Sequence, residues 1–227
     1  MIARDTNRSS VLDEIRLRSR ERGIPASVIP RAELDHLAPG NHQGVIAVAG
    51  VYRYASLDLV LSDVATGVLF ADGIMDPQNL GALTRSALGA GFDGVVLPSH
   101  RAAGVTAAAR RVSAGATESL KVARVANLSH AIEQAKAHRL WVVGLEEKAN
   151  DSIWTSGLME PPVGLVIGAE DKGLSRSVRV KCDGLVSIPQ RGRLSSLNAS
   201  VAGALAMFEV ARRATLQASE QANLQTR

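Results

Sequence analysis

From residue 44 onward the chain alternates short apolar runs with stretches of helical periodicity, and this alternation restricts the folds open to it. The runs are GVIAVAG, GVLFAD, GVVLPS, LKVARV, LWVVGL, GLVIGAE and GLVSIP. Runs this short and continuous suit strands buried on both faces, and helices between them imply right-handed crossovers into a parallel sheet. The expected class is therefore α/β, a mainly parallel sheet flanked by helices. Apolar residues make up 46% of the 227 and aromatic ones only 3%, so such a core must be filled by Ala, Val, Leu and Ile. The length accommodates one substantial domain with a small appendage.

The segment before that pattern reads differently. SSVLDEIRLRSRERGIP places Val11, Leu12, Ile15 and Leu17 near one helical face, with Ser9 or Ser10 as cap and Gly23 and Pro25 as stop signals. Residues 26–43 add a short strand, a short helix and a Pro39-Gly40-Asn41 turn, too little for an independent core. We therefore expect a short α+β, partial domain over 1–43, a main domain over 44–217, and a disordered tail over 218–227. The last helix should run from about Asn198 to Leu216, with Val201, Leu205 and Phe208 on one stripe.

Charge and cysteine usage exclude some functions and permit others. A formal charge of +4, from 26 Lys and Arg against 22 Asp and Glu, permits a polyanionic partner without demanding one. No apolar run approaches the roughly 20 residues of a membrane span, and the first ten residues lack the core of a signal peptide, so a cytoplasmic protein without a membrane partner is expected. Cys182 stands alone and reads as a buried small residue. The five histidines, at 36, 42, 100, 130 and 138, have no zinc-like spacing with Cys or carboxylates, and no metal site is expected. GxxxxGK[ST] and strand-linked GxGxxG signatures are missing, which removes support for nucleotide hydrolysis and dinucleotide redox chemistry.

Three segments carry polar residues at strand ends. In DGIMDPQNLGALTRSALGAGFDGVVLP a strand runs through a Pro-containing loop into a helix beginning near Asn79. Asp76 or Asn79 can cap that helix, Gly81 admits a close backbone, and Arg85 offers a planar fork for phosphate oxygens. Asn79 serves equally as a plain cap, and Arg85 as a solvated side chain. In GLVIGAEDKGLS a buried strand ends at Gly168, Glu170 and Gly173, which suits a ligand loop or an ordinary turn. In GLVSIPQRGRLSSLNASVAGALAMFEVARR, Ser195, Ser196 and Asn198 gather before a long apolar helix, more hydrogen-bonding groups than one cap requires. Residue by residue, these segments support an anion or nucleotide site at the C-terminal ends of strands.

Taken in order, NLGALTRSALGAGFDGVVLP, SAGATESLKVARV, IGAEDKGLS and IPQRGRLSSLNASVAGALAMFE resemble the signature motifs of the SpoU, or TrmH-like, branch of the SPOUT methyltransferases. HQGVIAVAG before them resembles the start of the methyltransferase domain in the RlmB-like 23S rRNA guanosine-2′-O-methyltransferases. The resemblance covers residues 42–213. It implies a C-terminal trefoil knot, a homodimer, S-adenosyl-L-methionine as cofactor, and methylation of a ribose 2′-OH in RNA, a guanosine of 23S rRNA in the nearest branch. It places Gly168, Ile188 and Leu197 around the cofactor, and Asn79, Arg85, Glu170, Ser196 and Asn198 around the transferring methyl group. Arg85 then holds the adjacent phosphate and stabilises a developing alkoxide, because a guanidinium is a poor base at neutral pH.

Within the same resemblance, transfer RNA ribose methylation and a catalytically silent ribosome-assembly role remain open. Relatives of this kind carry a longer N-terminal RNA-binding domain, of which the residues before HQGV match the second half. The run Arg16, Arg18, Arg20, Arg22 is either a remnant of its contact surface or a solvated helix face, and Arg101, Arg110 and Arg111 are further phosphate candidates.

Overall fold

The computed structural model describes residues 1–7, 9–40, 42–192 and 196–225, the last five of these by backbone alone. The chain divides into two compact units, Met1–Val51 and Tyr52–Arg227.

In the first unit β1 (Ile2–Ala3) pairs in parallel with β2 (Val28–Ile29), connected by α1 (Ser10–Glu21), and α2 (Arg31–Leu37) follows. The Ser9 hydroxyl caps α1 by accepting from the Leu12 amide at 3.3 Å, and Gly23 takes a left-handed φ of 64° just beyond the helix. Leu12 is the residue of α1 that is fully buried, while Val11 and Leu17 face solvent, so the expected apolar face is narrower than the sequence suggests. Asn41, expected in a turn, lies outside the described residues.

One expected strand does not form as such. GVIAVAG is tied to β1 at its first three residues, the Gly44 carbonyl accepting from the Ala3 amide at 2.8 Å, Val45 bridged antiparallel to Ile2, and the Ile46 amide donating to the Met1 carbonyl at 3.0 Å. Beyond it Val48 and Val51 are 84% and 95% exposed. Apolar content without a sheet position to bury it gives no strand.

The second unit holds a sheet whose paired strands are all parallel, in the order β5-β4-β3-β8-β6-β9-β7. Its elements in chain order are α3 (Leu57–Leu61), β3 (Gly67–Asp72), α4 (Pro77–Gly89), β4 (Gly94–Pro98), α5 (Ala107–Val112), α6 (Ala116–Ser119), β5 (Lys121–Val125), α7 (Leu128–Ala137), β6 (Trp141–Leu145), β7 (Asp151–Ser152), a single 3₁₀ turn (Gly157–Met159), β8 (Val163–Gly168), α8 (Arg176–Arg179), β9 (Gly184–Ser187) and α9 (Ala199–Gln225). β3 and β8 are buried along their whole length, as their unbroken apolar runs require.

Two apolar layers flank this sheet. One gathers Leu80, Leu83 and Ala87 of α4 with Ala206, Met207 and Val210 of α9; the other gathers Ala131, Ile132 and Ala135 of α7 with Val60 and Leu61 of α3. Gly81 sits where α4 meets α5, and a Cβ there would stand 2.5 Å from the Ala109 carbonyl oxygen, so the close approach expected of this glycine is real.

The topology sets the position of the site. The chain steps outward from β3 through β4 to β5, crosses to β6, and then inserts β8 between β3 and β6. The reversal lies at β3 and β8, and in open α/β sheets ligands collect beyond the strand C-termini at such a reversal. Helix α9 continues through Gln225, past the end expected at Leu216, because no Gly or Pro interrupts it there. Among the described residues no helix is long and apolar enough to cross a membrane.

Candidate active site

Asp76 caps α4, its carboxylate accepting from the Gln78 amide at 2.9 Å, with Pro77 in the first turn. Asn79 is therefore not the cap. Buried to 9% exposure, it turns its side chain to the C-terminal end of β8 and donates from Nδ2 to Glu170 Oε1 at 3.0 Å. Its Oδ1 accepts from Asn198 Nδ2 at 3.0 Å, and that same amide also reaches Glu170 Oε1. Residues from three separate segments thus form one closed polar cluster.

Asn198 and Glu170 share the N-terminus of α9. Asn198 Oδ1 accepts from the Ser200 and Val201 amides at 2.9 and 3.3 Å, while Glu170 Oε1 accepts from the Ala199 amide at 3.3 Å. A carboxylate at the first turn of a long helix is stabilised by the free amides and by the helix dipole. Glu170 is accordingly both a cap and the hub of the cluster, and its Oε2 has no partner among the described residues. That oxygen is available to a ligand.

Beside the cluster lies a cavity of about 300 Å³, lined by Leu145, Ile167, Gly168, Ile188 and Leu197 with Glu146, Glu170 and Ser196 at its polar side. Gly168 is the last residue of β8, and a Cβ there would collide with the backbone of Gly173 and Leu174. The loop folds back on itself there, with Ala169 and Gly173 exchanging both amide-to-carbonyl bonds at 3.1 and 2.8 Å. The cavity wall is consequently bare backbone on one side and aliphatic on the other, which suits a flat heterocycle.

The structure therefore brings together Asn79, Glu170 and Asn198 in the cluster, and Gly168, Ile188, Ser196 and Leu197 at the cavity. Ser195 lies outside the described residues. Arg85 is exposed on α4, away from the cavity wall, and among the described residues it makes no ion pair. It follows Asn79 by about 9 Å along the helix axis, and its Cα–Cβ bond leans back toward the helix start. Of the other arginines, Arg110 is engaged with Glu118 at 2.8 Å, and in the first unit Arg18 is engaged with Glu14 at 2.6 Å.

Sequence reasoning missed Asp72. It ends β3 in register with Gly168, is 9% exposed, and accepts the Ser175 amide on Oδ2 at 2.6 Å, tying the turn after Gly173 to the central strand. An acidic residue closing an otherwise apolar strand run was the available signal.

Comparison with known proteins decides the family. A model described as the SpoU rRNA Methylase family matches residues 67–208, which hold every residue of the cluster and the cavity wall named above. The chain belongs to the SpoU rRNA methylase family. Members of this family methylate RNA. Residues 1–55 match a second model, described as RNA 2'-O ribose methyltransferase substrate binding.

Among SpoU relatives, a TrmH family tRNA/rRNA methyltransferase of Bacillus subtilis is 40% identical over 201 residues, covering 86% of this chain and 80% of the relative. One of Staphylococcus aureus is 38% identical over 207 residues, covering 89% and 83%. The crystal structure of the SpoU methyltransferase AviRb from Streptomyces viridochromogenes, in complex with the cofactor AdoMet, has a TM-score of 0.75 at 28% identity and covers 93% of this chain and 81% of that one. An AdoMet-bound rRNA methyltransferase from Sinorhizobium meliloti, at 23% identity and a TM-score of 0.74 over 88% of this chain and 77% of that one, shares the fold.

Proposed function

We propose that this chain transfers a methyl group from S-adenosylmethionine to a ribose 2′-OH of RNA, a guanosine of 23S rRNA being the target. The observation that supports this most directly is the juxtaposition of the Asn79–Glu170–Asn198 cluster with the cavity lined by Gly168, Ile188 and Leu197. The cavity fits the cofactor, since its volume suits a nucleoside and Gly168 lets the loop backbone pack directly against the end of β8, leaving bare peptide groups in the wall.

In this reading Gly168, Ile188 and Leu197 hold the adenine by contact and backbone hydrogen bonds, and Ser196, Glu170 and Asn198 stand at the methyl side. S-adenosylmethionine supplies an already activated methyl group, so the chain's own task is alignment and proton removal rather than covalent catalysis. Asn79 and Asn198 hold the Glu170 carboxylate in one orientation, leaving Oε2 free to orient the reacting groups. Arg85, on the exposed face of the same helix as Asn79, grips the phosphate next to the target ribose and stabilises charge developing on its oxygen. Arg111 on α5 and Arg101 add phosphate contacts in this reading.

The same reading includes the knot that the resemblance implies for the C-terminal segment, and a two-fold homodimer. Val201, Leu205 and Phe208 form a stripe on α9 that is 39–52% exposed, while the opposite stripe of Ala206, Met207 and Val210 fills the core. A helix apolar on both sides, with one side uncovered, fits an isologous contact with a second copy.

The experiment is methyl transfer from labelled S-adenosylmethionine to ribosomal and transfer RNA fractions, with the product nucleotide identified after alkaline hydrolysis. Label in an alkali-resistant dinucleotide from 23S rRNA is the expected result. Label confined to transfer RNA would replace the substrate, label on a base would remove the 2′-O assignment, and no label with tight RNA binding would leave the silent assembly factor.

A further inference from the structure

Four acidic side chains line the cavity: Glu146, Glu147, Glu170 and Asp171. Glu170 commits Oε1 to Asn79, Asn198 and the α9 amide and keeps Oε2 for the methyl side, and Glu147 and Asp171 extend into solvent. Glu146 is different. It directly follows β6, and the sheet fixes its backbone, the amide donating to the Val186 carbonyl at 2.9 Å and the carbonyl accepting from Ala149 at 3.2 Å.

Its side chain is only 24% exposed and lies against Arg179, whose Nε stands 3.0 Å from Oε2. That approach is close but misaligned, for Oε2 is shut off from water and has no hydrogen-bond partner among the described residues. A carboxylate has about four acceptor positions, and here an off-axis guanidinium faces it without filling them. The oxygen left for a ligand is therefore Oε1, which also has no hydrogen-bond partner among the described residues, on a rigidly placed carboxylate of the cavity wall at the end of a strand adjoining β8 and its Gly168.

A ribose presents two adjacent hydroxyl donors, the complement of such a group, and in α/β nucleotide sites an acid at a strand end commonly takes them. We propose that Glu146 is the residue that reads the ribose diol of the adenosyl group, and that Arg179 is a positioning residue that sets the carboxylate's orientation. The assignment rests on the cavity being the cofactor site. It makes the enzyme selective for a ribonucleoside cofactor through one side chain, whereas the rest of the wall recognises the base by shape.

The test is calorimetric titration of the full chain and of Glu146→Gln with S-adenosylhomocysteine and with its 2′,3′-dideoxyribose analogue, folding being checked by thermal melting. The unsubstituted chain should bind the dideoxy analogue about 10- to 100-fold more weakly than S-adenosylhomocysteine, the range for hydrogen bonds to a charged acceptor. Glu146→Gln should bind S-adenosylhomocysteine about 10-fold more weakly and distinguish the two ligands less than about threefold. Arg179→Ala should fall between them, because the carboxylate remains but loses its orientation.

A Glu146→Gln protein that discriminates as strongly as the unsubstituted chain overturns the proposal, since some other group then reads the diol. An unsubstituted chain that binds both ligands equally also overturns it, while leaving the cavity as the cofactor site. Failure of the unsubstituted chain to bind S-adenosylhomocysteine at all would instead overturn the cofactor reading, and this assignment with it.

Discussion

Asn79 and Glu170 are separated by 91 residues of chain, and their side chains meet at 3.0 Å, Nδ2 donating to Oε1. The bond joins the first turn of α4 to the loop after β8, and Asn198 closes the triangle from the start of α9. Each group in it is fixed by the other two.

Removing the hub should therefore affect more than charge. Glu170→Ala leaves the buried Asn79 amide without its acceptor and the α9 start without one of its caps, costing about 1–3 kcal/mol in urea unfolding. Methyl transfer should fall by on the order of 100-fold, since Asn79 and Asn198 lose their common anchor. Glu170→Gln keeps an acceptor oxygen and should recover most of the stability but little of the rate. Equal rates for the Gln variant and the unsubstituted chain would show that the carboxylate only holds the loops.

Arg213, further along α9, is a second buried junction. Only 8% exposed, it bonds Glu209 at 2.8 Å and the carbonyls of Ile153, Trp154 and Ser156 at 2.7–3.0 Å. Arg213→Ala strands those acceptors and should cost about 3–5 kcal/mol. Hydrogen bonds from Arg212 and Arg213 hold the Glu209 carboxyl below its usual range. A lowered carboxylate contributes stability above its unfolded pKa of about 4.3 and loses it as pH falls through the folded value. The stability gap between the unsubstituted chain and the variant should accordingly narrow below about pH 4, as denaturant midpoints across pH would show.

That junction also marks a boundary of what the sequence discloses. The strands GVLFAD, WVVGL and GLVIG are legible because a segment buried on both faces has no polar position to interrupt it. At Glu209 and Arg213 nothing local in the sequence signals burial, because i, i+4 charge pairs on a helix are ordinarily solvated. Only the loop packed over them makes them core. Likewise β8 lies between β3 and β6 through pairings that no local pattern encodes, and this insertion carries Glu170 to Asn79. The residues of the cluster are nameable from motif resemblance and Asp72 from its place at the end of an apolar run, whereas Glu146 and Arg179 carry no motif and emerge only from geometry.

Cys182 supports a prediction about reactivity. Burial, with the Asp183 charge behind it, pushes its thiol up to about 12. A free thiol near 8.5 is half ionised at pH 8.5, so the folded chain should carry about a thousandfold less thiolate there. Alkylation with iodoacetamide should be slower by a similar factor in the native protein than in urea. A raised thiol also contributes stability fully below the unfolded pKa, and that contribution is lost as pH rises toward the folded one. Fast native labelling would place Cys182 on a mobile surface instead.

The uncovered stripe of α9 leads to a prediction about assembly. Phe208 is 52% exposed, and its ring lies beside Gly89 at the end of α4, extending the apolar patch across two helices. Phe208→Asp should shift the chain to monomer in analytical ultracentrifugation while the far-UV spectrum stays unchanged, since the side chain supports little of the core. A monomeric unsubstituted chain at micromolar concentration would remove the dimer from the reading.

Arg85 separates RNA handling from cofactor handling most sharply. It is exposed on α4 and forms no part of the cavity wall, so Arg85→Ala should leave S-adenosylhomocysteine affinity within about twofold. Turnover should nevertheless fall on the order of 100-fold or more, because the proposed grip on phosphate and the charge opposite the developing alkoxide disappear together. Arg85→Lys should be nearly as poor, for a lysine retains the charge without the planar fork that engages two oxygens at once. Cofactor titration and single-turnover methyl transfer on the same preparations distinguish the outcomes. Near-normal turnover in Arg85→Ala removes the proposed role, and a parallel loss of cofactor affinity moves Arg85 from the RNA side of the site to the cofactor's.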